Sequence, residues 1–259
     1  MTRSYDAVVL AGGAARRLGG ADKPALPVGG RMLLDRVLAA CPGARATVVV
    51  GPRRPTSRPV RWTREDPAGG GPLPALAAGL AALPGTGGAR QPVGDGDGDA
   101  GHEDGLRRGD ADRDGNGGGN RGGDGDADAD RVVLVFAADL PFLTERTAVA
   151  LVRALDADAA GAAEGAPWEG AVLTDSGGRD QPLAAAYRVE PLRREIALLR
   201  AEHGHLTGLP LRFLTGELRL CRIADPTGEA SFDCDTWEDV AAARARFGAG
   251  AAGPDGSGR

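Results

Sequence analysis

The chain has 259 residues, 42% of them hydrophobic, which is enough for one large α/β domain. Its formal net charge of −5 argues against a general nucleic-acid-binding or membrane-surface protein, because both need a basic face. The sequence shows neither a basic, apolar leader nor an apolar stretch of about twenty residues, so we expect a cytoplasmic protein without a membrane anchor.

Short apolar runs alternate with helical patterns along most of the chain. Strands are predicted at residues 7–10, 46–50, 60–63, 131–136, 171–174 and 183–187, and helices at 32–40, 73–83, 145–155, 191–200 and 238–247. This alternation predicts a three-layer α/β fold, in which helices cover both faces of a mostly parallel sheet. The run from Val132 to Phe136 is apolar throughout, as expected of a strand buried on both sides.

The alternating pattern stops between Gly85 and Asp130. This stretch is mostly Gly and Asp with scattered Arg, and it cannot bury enough apolar surface to become ordered. We therefore predict one domain over residues 1–247, with a disordered insertion at 85–130 and a disordered tail at 248–259. Residues 110–115 copy the first half of a calcium loop, but Arg121 stands where that loop needs a bidentate Glu. Calcium binding is the weaker alternative for this segment.

The first predicted strand leads into a glycine-rich loop that begins with Leu10, Ala11, Gly12 and Gly13. A strand followed by such a loop is typical of nucleotide sites, because adjacent glycines let backbone N–H groups approach anionic oxygens. Arg17 and Lys23 add the positive charge that a triphosphate requires. Lys23 is followed by Pro24 rather than Ser or Thr, and no G-x-G-x-x-G opens the turn. The two better-known phosphate loops are therefore excluded.

The order LAGG, then R-x-G, then D-K resembles the signature of the MobA-like nucleotidyltransferases, and its spacing is that of the molybdenum cofactor guanylyltransferases. The resemblance implies a Rossmann-like enzyme that uses Mg²⁺ and transfers GMP from GTP to molybdenum-bound molybdopterin, with release of pyrophosphate. It also implies transient contacts with other proteins of molybdenum cofactor biosynthesis. The LAGG residues and Lys23 would bind the nucleotide, and Arg17 with Lys23 would stabilise charge on the departing pyrophosphate.

A carboxylate follows the most apolar predicted strand. Asp139 comes just after Phe136, and open α/β sheets bind ligands at the carboxyl ends of their strands. Mg²⁺ prefers one or two carboxylates together with phosphate oxygens, so Asp139 is a candidate metal ligand. The resemblance supports this role, because the Asp of the family's D-x-P-[FY] element binds Mg²⁺. The alternative is an Asp that caps the turn ahead of Pro141.

A second acidic element lies near the end of the chain. Asp233 and Asp235 stand where the family's element N-x-N-T-P-E-[DE] has two Asn residues. Alternate positions on an extended segment point the same way, so the two carboxylates should converge. Asp235 is the candidate for a second metal contact, and Asp233 is a candidate for contact with the acceptor. The residues from Thr236 to Asp239 are explained equally well as the cap of a helix.

Two further elements match the family in order. Asp66, ahead of a GPL motif, matches an Asp that contacts the nucleotide in the family, so the resemblance implies a contact with the base or ribose. A carboxylate can accept hydrogen bonds from guanine N–H groups. Gly51 stands where the guanylyltransferases have an Asn that contacts the nucleotide, and it offers only its backbone. Residues 178–187 resemble a family element that leads into a strand beside the acceptor site, which implies that Arg179 or Gln181 binds the pterin phosphate or ring edge. From spacing alone, a tight turn into a strand explains these two residues as well.

Three other functions remain open. The first is an enzyme of the same fold that uses CTP, or that activates a sugar or another metabolite. The second is a non-catalytic nucleotide-binding module, for which Gly51 and the two Asn-to-Asp changes are the only hints. The third is a calcium-binding interaction protein that uses the Asp- and Gly-rich insertion. The matching order of all the elements favours the guanylyltransferase over each of these.

Overall fold

The computed structural model describes residues 3–13, 15–85, 131–157 and 167–251. The predictions for residues 86–130 and 252–259 lie outside this part of the chain. The strands are β1 (Tyr5–Leu10), β2 (Pro27–Val28), β3 (Arg31–Met32), β4 (Thr47–Val50), β5 (Arg61–Thr63), β6 (Val132–Ala137), β7 (Gly170–Thr174), β8 (Asp180–Arg188) and β9 (Leu220–Ala224). The α-helices are α1 (Leu33–Ala39), α2 (Pro72–Ala81), α3 (Glu145–Ala154), α4 (Val189–His203), α5 (Leu211–Thr215) and α6 (Trp237–Ala251).

Seven strands form one sheet in the order β5-β4-β1-β6-β8-β7-β9. Strand β1 pairs in parallel with both β4 and β6, whereas β8 is antiparallel to both of its neighbours. All the other strands of this sheet run in one direction, which confirms the mostly parallel α/β fold. The chain builds the β4–β5 side first and then crosses to β6 on the other side of β1. Open α/β sheets bind ligands at such a reversal of strand order.

Helices cover both faces of the sheet. Alternate residues of the central strands therefore belong to different cores. Val9 and Phe136 pack with the apolar residues of α1 and α3. Val8 and Val135 pack with those of α2 and α4 on the opposite face. A strand that is covered on both faces needs an unbroken apolar run, which is the pattern of β1 and β6.

A third, smaller core joins the start of the chain to its end. Leu18 and Val28, from the segment after β1, pack against Val240 and Ala243 of α6. The helix continues past Phe247, where the sequence pattern predicts the tail to begin, as far as Ala251. Among the described helices, none is both long and apolar enough to cross a lipid bilayer.

Four elements were not expected from the sequence. The hairpin β2–β3 has only two residues in each strand, and α5 has five, so neither produces a readable periodicity. Strand β9 lies at the edge of the sheet and carries charged Arg222 among its partly exposed residues.

The close packing of α2 on the sheet generates a stability prediction. A β-carbon on Gly79 would lie 2.5 Å from Cγ1 of Val8 and 3.0 Å from Cγ2 of Val50. Gly79→Ala should therefore push α2 away from β1 and β4 and lower the free energy of unfolding by about 1–3 kcal/mol, although Ala ordinarily favours a helix. Thermal denaturation should show this as a fall of roughly 2–4 °C for each kcal/mol.

Gly85→Ala is the matched control, because a β-carbon there meets no heavy atom within 4 Å. It should leave the melting temperature unchanged. If the two variants melt at the same temperature, the close contact between α2 and the sheet is contradicted.

Candidate active site

The candidate site lies at the carboxyl ends of the two central strands. Leu10 of β1 pairs with Ala137 of β6, and the amide of Ala138 donates to the carbonyl of Leu10 at 3.0 Å. A cleft of about 350 Å³ opens beyond these strand ends. It is lined by Leu10, Gly12, Gly13, Ala15, Arg17, Lys23, Pro24, Ala138, Asp139 and Asp235. The fold thus brings the glycine-rich loop and the ligand candidates from both acidic elements into one site.

Lys23 is at the centre of the charges in this cleft. Its Nζ donates to Oδ2 of Asp139, and to Oδ1 of Asp235 at 2.5 Å. The Lys23 and Asp139 side chains are largely buried, whereas that of Asp235 is 45% exposed. Burial lowers the pKa of Lys23, but the two carboxylates outweigh burial and hold this pKa above its ordinary value. Lys23 is therefore fully charged at neutral pH.

The loop between β1 and Lys23 is shaped by tight turns. Residues Arg16–Leu18 form one turn of 3₁₀ helix, and Leu18 is buried in the third core. Gly19 and Gly20 follow with φ angles of 66° and 81°, which L-amino acids with a side chain rarely adopt. A second 3₁₀ turn starts at Lys23 and holds this residue at the edge of the cleft.

Asp139 presents a carboxylate oxygen that lacks a partner. Its Oδ1 is buried and has no hydrogen bond to any described residue, whereas Oδ2 accepts from Lys23. A buried carboxylate oxygen without a partner is costly, so it indicates a site for a cation or a donor.

The two carboxylates are ligands of the kind that Mg²⁺ takes in proteins. Within the described residues, no group of three or more His, Cys, Asp or Glu side chains could hold a metal ion. Mg²⁺ needs no such cage, because it commonly takes one or two carboxylates and completes its octahedron with phosphate oxygens and water. Asp139 and Asp235 both accept from the Nζ of Lys23, so their oxygens lie close enough together to contact one cation.

The late acidic element is fastened to the loop after β6. The amide of Cys234 donates to the backbone oxygen of Asp139 at 3.2 Å, and the Cys234 side chain is buried in the third core. Burial, followed by the nearby charges of Asp235 and Asp139, raises the pKa of Asp233. Three carboxylates therefore share the surroundings of one lysine.

The helix-cap interpretation of the same element also holds. Oγ1 of Thr236 accepts from the amide of Asp239 at 3.2 Å, and Oδ2 of Asp239 accepts from the amide of Thr236 at 2.8 Å. This reciprocal pair satisfies two backbone donors at the start of α6. The cap fixes the residue next to Asp235, so the two interpretations support one another.

Arg17 lies at the mouth of the cleft. Its side chain is 75% exposed, and Nη1 is 3.6 Å from Oδ2 of Asp235. An ion pair as exposed as this one is weak, so the guanidinium can turn towards a phosphate at little cost.

Ala11 and Gly51 lie behind the cleft and do not line it. Ala11 is buried, and Gly51 has a φ of 145°. A β-carbon on Gly51 would lie 2.7 Å from the carbonyl oxygen of Ala11. Gly51 therefore allows the backbone after β4 to touch the start of the glycine-rich loop.

Asp66 also lies outside the cleft, on the rim of a separate depression beside Pro67, Pro74 and Arg200. Its neighbour Glu65 is buried close to the glycine-rich loop. Oε1 of Glu65 accepts from the amide of Gly69 at 2.9 Å, and Oε2 has no partner among the described residues. The sequence predicts the nucleotide contact at Asp66 and gives no sign that Glu65 is the buried one of the two, because their burial depends on how the chain leaves β5.

Arg179 lies in the turn between β7 and β8, Gln181 is the second residue of β8, and neither lines the cleft. Both are held by Asp175, which accepts from Nε of Arg179 at 3.0 Å and from Nε2 of Gln181 at 3.1 Å. The hydrogen bond from the Arg179 amide is the main cause that lowers the pKa of Asp175. Because β7 runs in the same direction as β6, this turn lies at the same edge of the sheet as the cleft.

Comparisons with known proteins bear on the family and the fold. The model of the MobA-like NTP transferase domain matches residues 7–210. Molybdopterin-guanine dinucleotide biosynthesis protein A from Archaeoglobus fulgidus superposes with a TM-score of 0.57 at 15% identity, covering 94% of this chain and 99% of that one. The 2-C-methyl-D-erythritol 4-phosphate cytidylyltransferase from Thermus thermophilus gives 0.55 at 17% identity, covering 95% and 99%. No curated protein sequence matches the chain.

The position of Lys23 predicts competition between its ammonium and a divalent cation. Lys23→Met removes the charge that lies between Asp139 and Asp235 and leaves two carboxylates facing each other. The variant should bind Mn²⁺ at least about tenfold more tightly than the parent in the absence of nucleotide, because a lost charge-assisted contact is worth roughly 1.5–3 kcal/mol. Electron paramagnetic resonance of unbound Mn²⁺ measures this affinity.

Arg17→Met is the control, since Arg17 contacts Asp235 only at 3.6 Å. It should change the Mn²⁺ affinity far less. Equal affinities in the parent and Lys23→Met would show that the ammonium does not occupy the cation site.

Proposed function

The chain belongs to the MobA-like NTP transferase family, and from this premise we propose that it transfers GMP from GTP to molybdenum-bound molybdopterin, with release of pyrophosphate. The observation that carries the proposal is the meeting of Lys23, Asp139 and Asp235 beneath a glycine-rich loop. The structural similarity to molybdopterin-guanine dinucleotide biosynthesis protein A supports the choice of acceptor.

The chemistry that this reaction demands of the protein is modest. The attacking group is a phosphate monoester, whose second pKa of about 6 leaves it mostly ionised at neutral pH. A general base is therefore not required, and catalysis reduces to alignment and charge neutralisation.

The glycines and the charged residues of the cleft then have distinct roles. The backbone of Gly12 and Gly13 lies against the triphosphate, and Arg17 approaches the departing pyrophosphate from the mouth of the cleft. Lys23 exchanges its carboxylate partners for a phosphate oxygen when the nucleotide binds. When bound, Mg²⁺ supplies charge neutralisation to the phosphate oxygens, and Asp139 and Asp235 are the residues that would hold it.

The order of strands suggests where the two substrates lie. The nucleotide occupies the edge over β4 and β1, on the side of Gly51 and Asp66. The acceptor occupies the edge over β8 and β7, where Arg179 in the turn and Gln181 at the start of β8 are held by Asp175. Asp139, at the end of β6, lies between the two halves, where the new bond would form.

A second candidate is an enzyme of the same fold that uses CTP. It is favoured by the similarity to a cytidylyltransferase, and by Gly51, which lacks the side chain that the guanylyltransferases have at this position.

One experiment separates the candidates. The protein is incubated with Mg²⁺ and a molybdopterin-type acceptor in four reactions, which contain GTP, CTP, UTP or ATP. The products are identified by mass spectrometry. We expect a guanine dinucleotide and pyrophosphate in the reaction with GTP, and no product in the other three reactions. A cytosine dinucleotide would replace the proposal with the second candidate, and the absence of product with every nucleotide would remove transfer to this acceptor.

The two proposed metal contacts should respond differently to the same substitution. Asp139→Asn keeps the shape of the side chain but loses the charge, so turnover should fall and be partly restored at higher Mg²⁺ concentration. Asp235→Asn keeps an oxygen ligand and introduces the residue that the family has at this position, so turnover should stay close to that of the parent.

The measurement is turnover as a function of Mg²⁺ concentration in both variants. If Asp139→Asn responds to Mg²⁺ as the parent does, Asp139 is not a metal ligand.

A further inference from the structure

Arg54 places a largely buried side chain against the glycine-rich loop. It lies between β4 and β5, and only 8% of its side chain is exposed. Its Nη2 and Nε donate to Oδ1 and Oδ2 of Asp22 at 2.7 and 3.2 Å, and Nη1 donates to the carbonyl of Ala11 at 3.3 Å. The guanidinium also lies 5.9 Å from the ring centroid of Trp62 on β5, which is within the range of a cation–π contact.

These contacts bring together the two ends of one loop. Ala11 is the first residue after β1, and Asp22 immediately precedes Lys23. A single planar guanidinium therefore sets the spacing between the end of the central strand and the residue that carries the ammonium of the cleft. The fork geometry of Arg suits this task, because its donors are fixed relative to one another.

The conformation of Asp22 supports a dedicated role. Asp22 is the residue that precedes the first turn of the 3₁₀ helix at Lys23, where an Asp side chain ordinarily accepts from a backbone amide. Here the carboxylate makes no such cap and instead accepts from Nε and Nη2 of Arg54. Asp22 therefore lacks the hydrogen bond to a nearby backbone amide and is held by Arg54, which also contacts the other end of the loop at Ala11.

We propose that Arg54 is a positioning residue for the phosphate-binding loop. It holds Ala11 and Asp22 together, so that Lys23 and the glycine amides face the cleft before the nucleotide arrives. The inference rests on the proposed function only in requiring that this loop binds the phosphates of a nucleotide. Preorganisation lowers the ordering cost of binding, and a saturating nucleotide would order the loop by itself. Loss of Arg54 should therefore weaken nucleotide binding more than it slows the chemical step.

The test is a double-mutant cycle between Arg54 and Asp22. Arg54→Ala should raise the Kd and KM for GTP with Mg²⁺ about tenfold while kcat stays within about twofold, the scale expected for loss of a charged hydrogen-bond pair. Asp22→Asn should show part of this effect, and the double variant should be no weaker than Arg54→Ala, because both changes remove the same contact. Arg54→Lys should be intermediate, since an ammonium lacks the fork that reaches both partners. Arg53→Ala, a change to the exposed neighbouring arginine, is the control and should match the parent.

Hydrogen exchange in the nucleotide-free protein tests the positioning separately from the identity of the substrate. The amides of Leu18, Gly20 and Ala21, which are bonded within the loop, should exchange faster in Arg54→Ala than in Arg53→Ala. If the parent binds neither GTP nor CTP, the proposed function fails while the exchange result still decides this inference. Unchanged exchange of the loop, or an additive double variant, would overturn it, even if the melting temperature falls.

Discussion

The contact on which the site depends is the ammonium of Lys23 between two carboxylates. Its partners are far apart in the chain, since Asp235 lies 212 residues from Lys23. Strand pairing brings Asp139 beside the first loop, because β6 is the direct neighbour of β1. Asp235 reaches the same point because α6 packs on Leu18 and Val28 in the third core, and because Cys234 bonds to the backbone of Asp139. The packing of the third core thus holds the carboxylate of Asp235 beside Lys23.

The same contact links the entry of the two charged ligands. In the proposed reaction, a triphosphate would draw Lys23 away from its carboxylates and leave them with excess negative charge in a site where Asp139 is largely buried. Asp139 and Asp235 would then hold a divalent cation, which would supply the missing positive charge. Either ligand alone leaves part of the site uncompensated, so nucleotide and metal are expected to favour one another's binding.

The parts of the site that could be predicted from the sequence are those set by unbroken patterns. The apolar runs of β1 and β6 predicted central strands, and the positions of Gly12 and Asp139 followed because ligands lie at strand ends. Asp235 required the family resemblance, since nothing local distinguishes it from a residue next to a helix cap. The antiparallel direction of β8 was not predicted, because an apolar run does not indicate whether a strand pairs parallel or antiparallel.

Other features depend on packing that sequence does not express. Glu65 and Asp66 are adjacent and chemically alike, yet one is buried near the loop and the other lies on the rim of a separate depression. Arg54 is one of three arginines in a short polar segment, and only the folded structure shows that it reaches Asp22. Long-range partners of this kind have no periodicity to reveal them.

The reversed strand β8 has an evolutionary consequence. Because β7 and β8 are joined by one short turn, the half of the edge proposed for the acceptor is the tip of a single hairpin. Changes of length or composition at a hairpin tip leave strand register intact and are well tolerated. The nucleotide half, by contrast, is assembled from several crossovers that must all stay in place. Substitutions or insertions in the turn between β7 and β8 can therefore change the acceptor without altering the proposed nucleotide site. The fold is thus suited to evolve new acceptor specificities while the type of reaction stays the same.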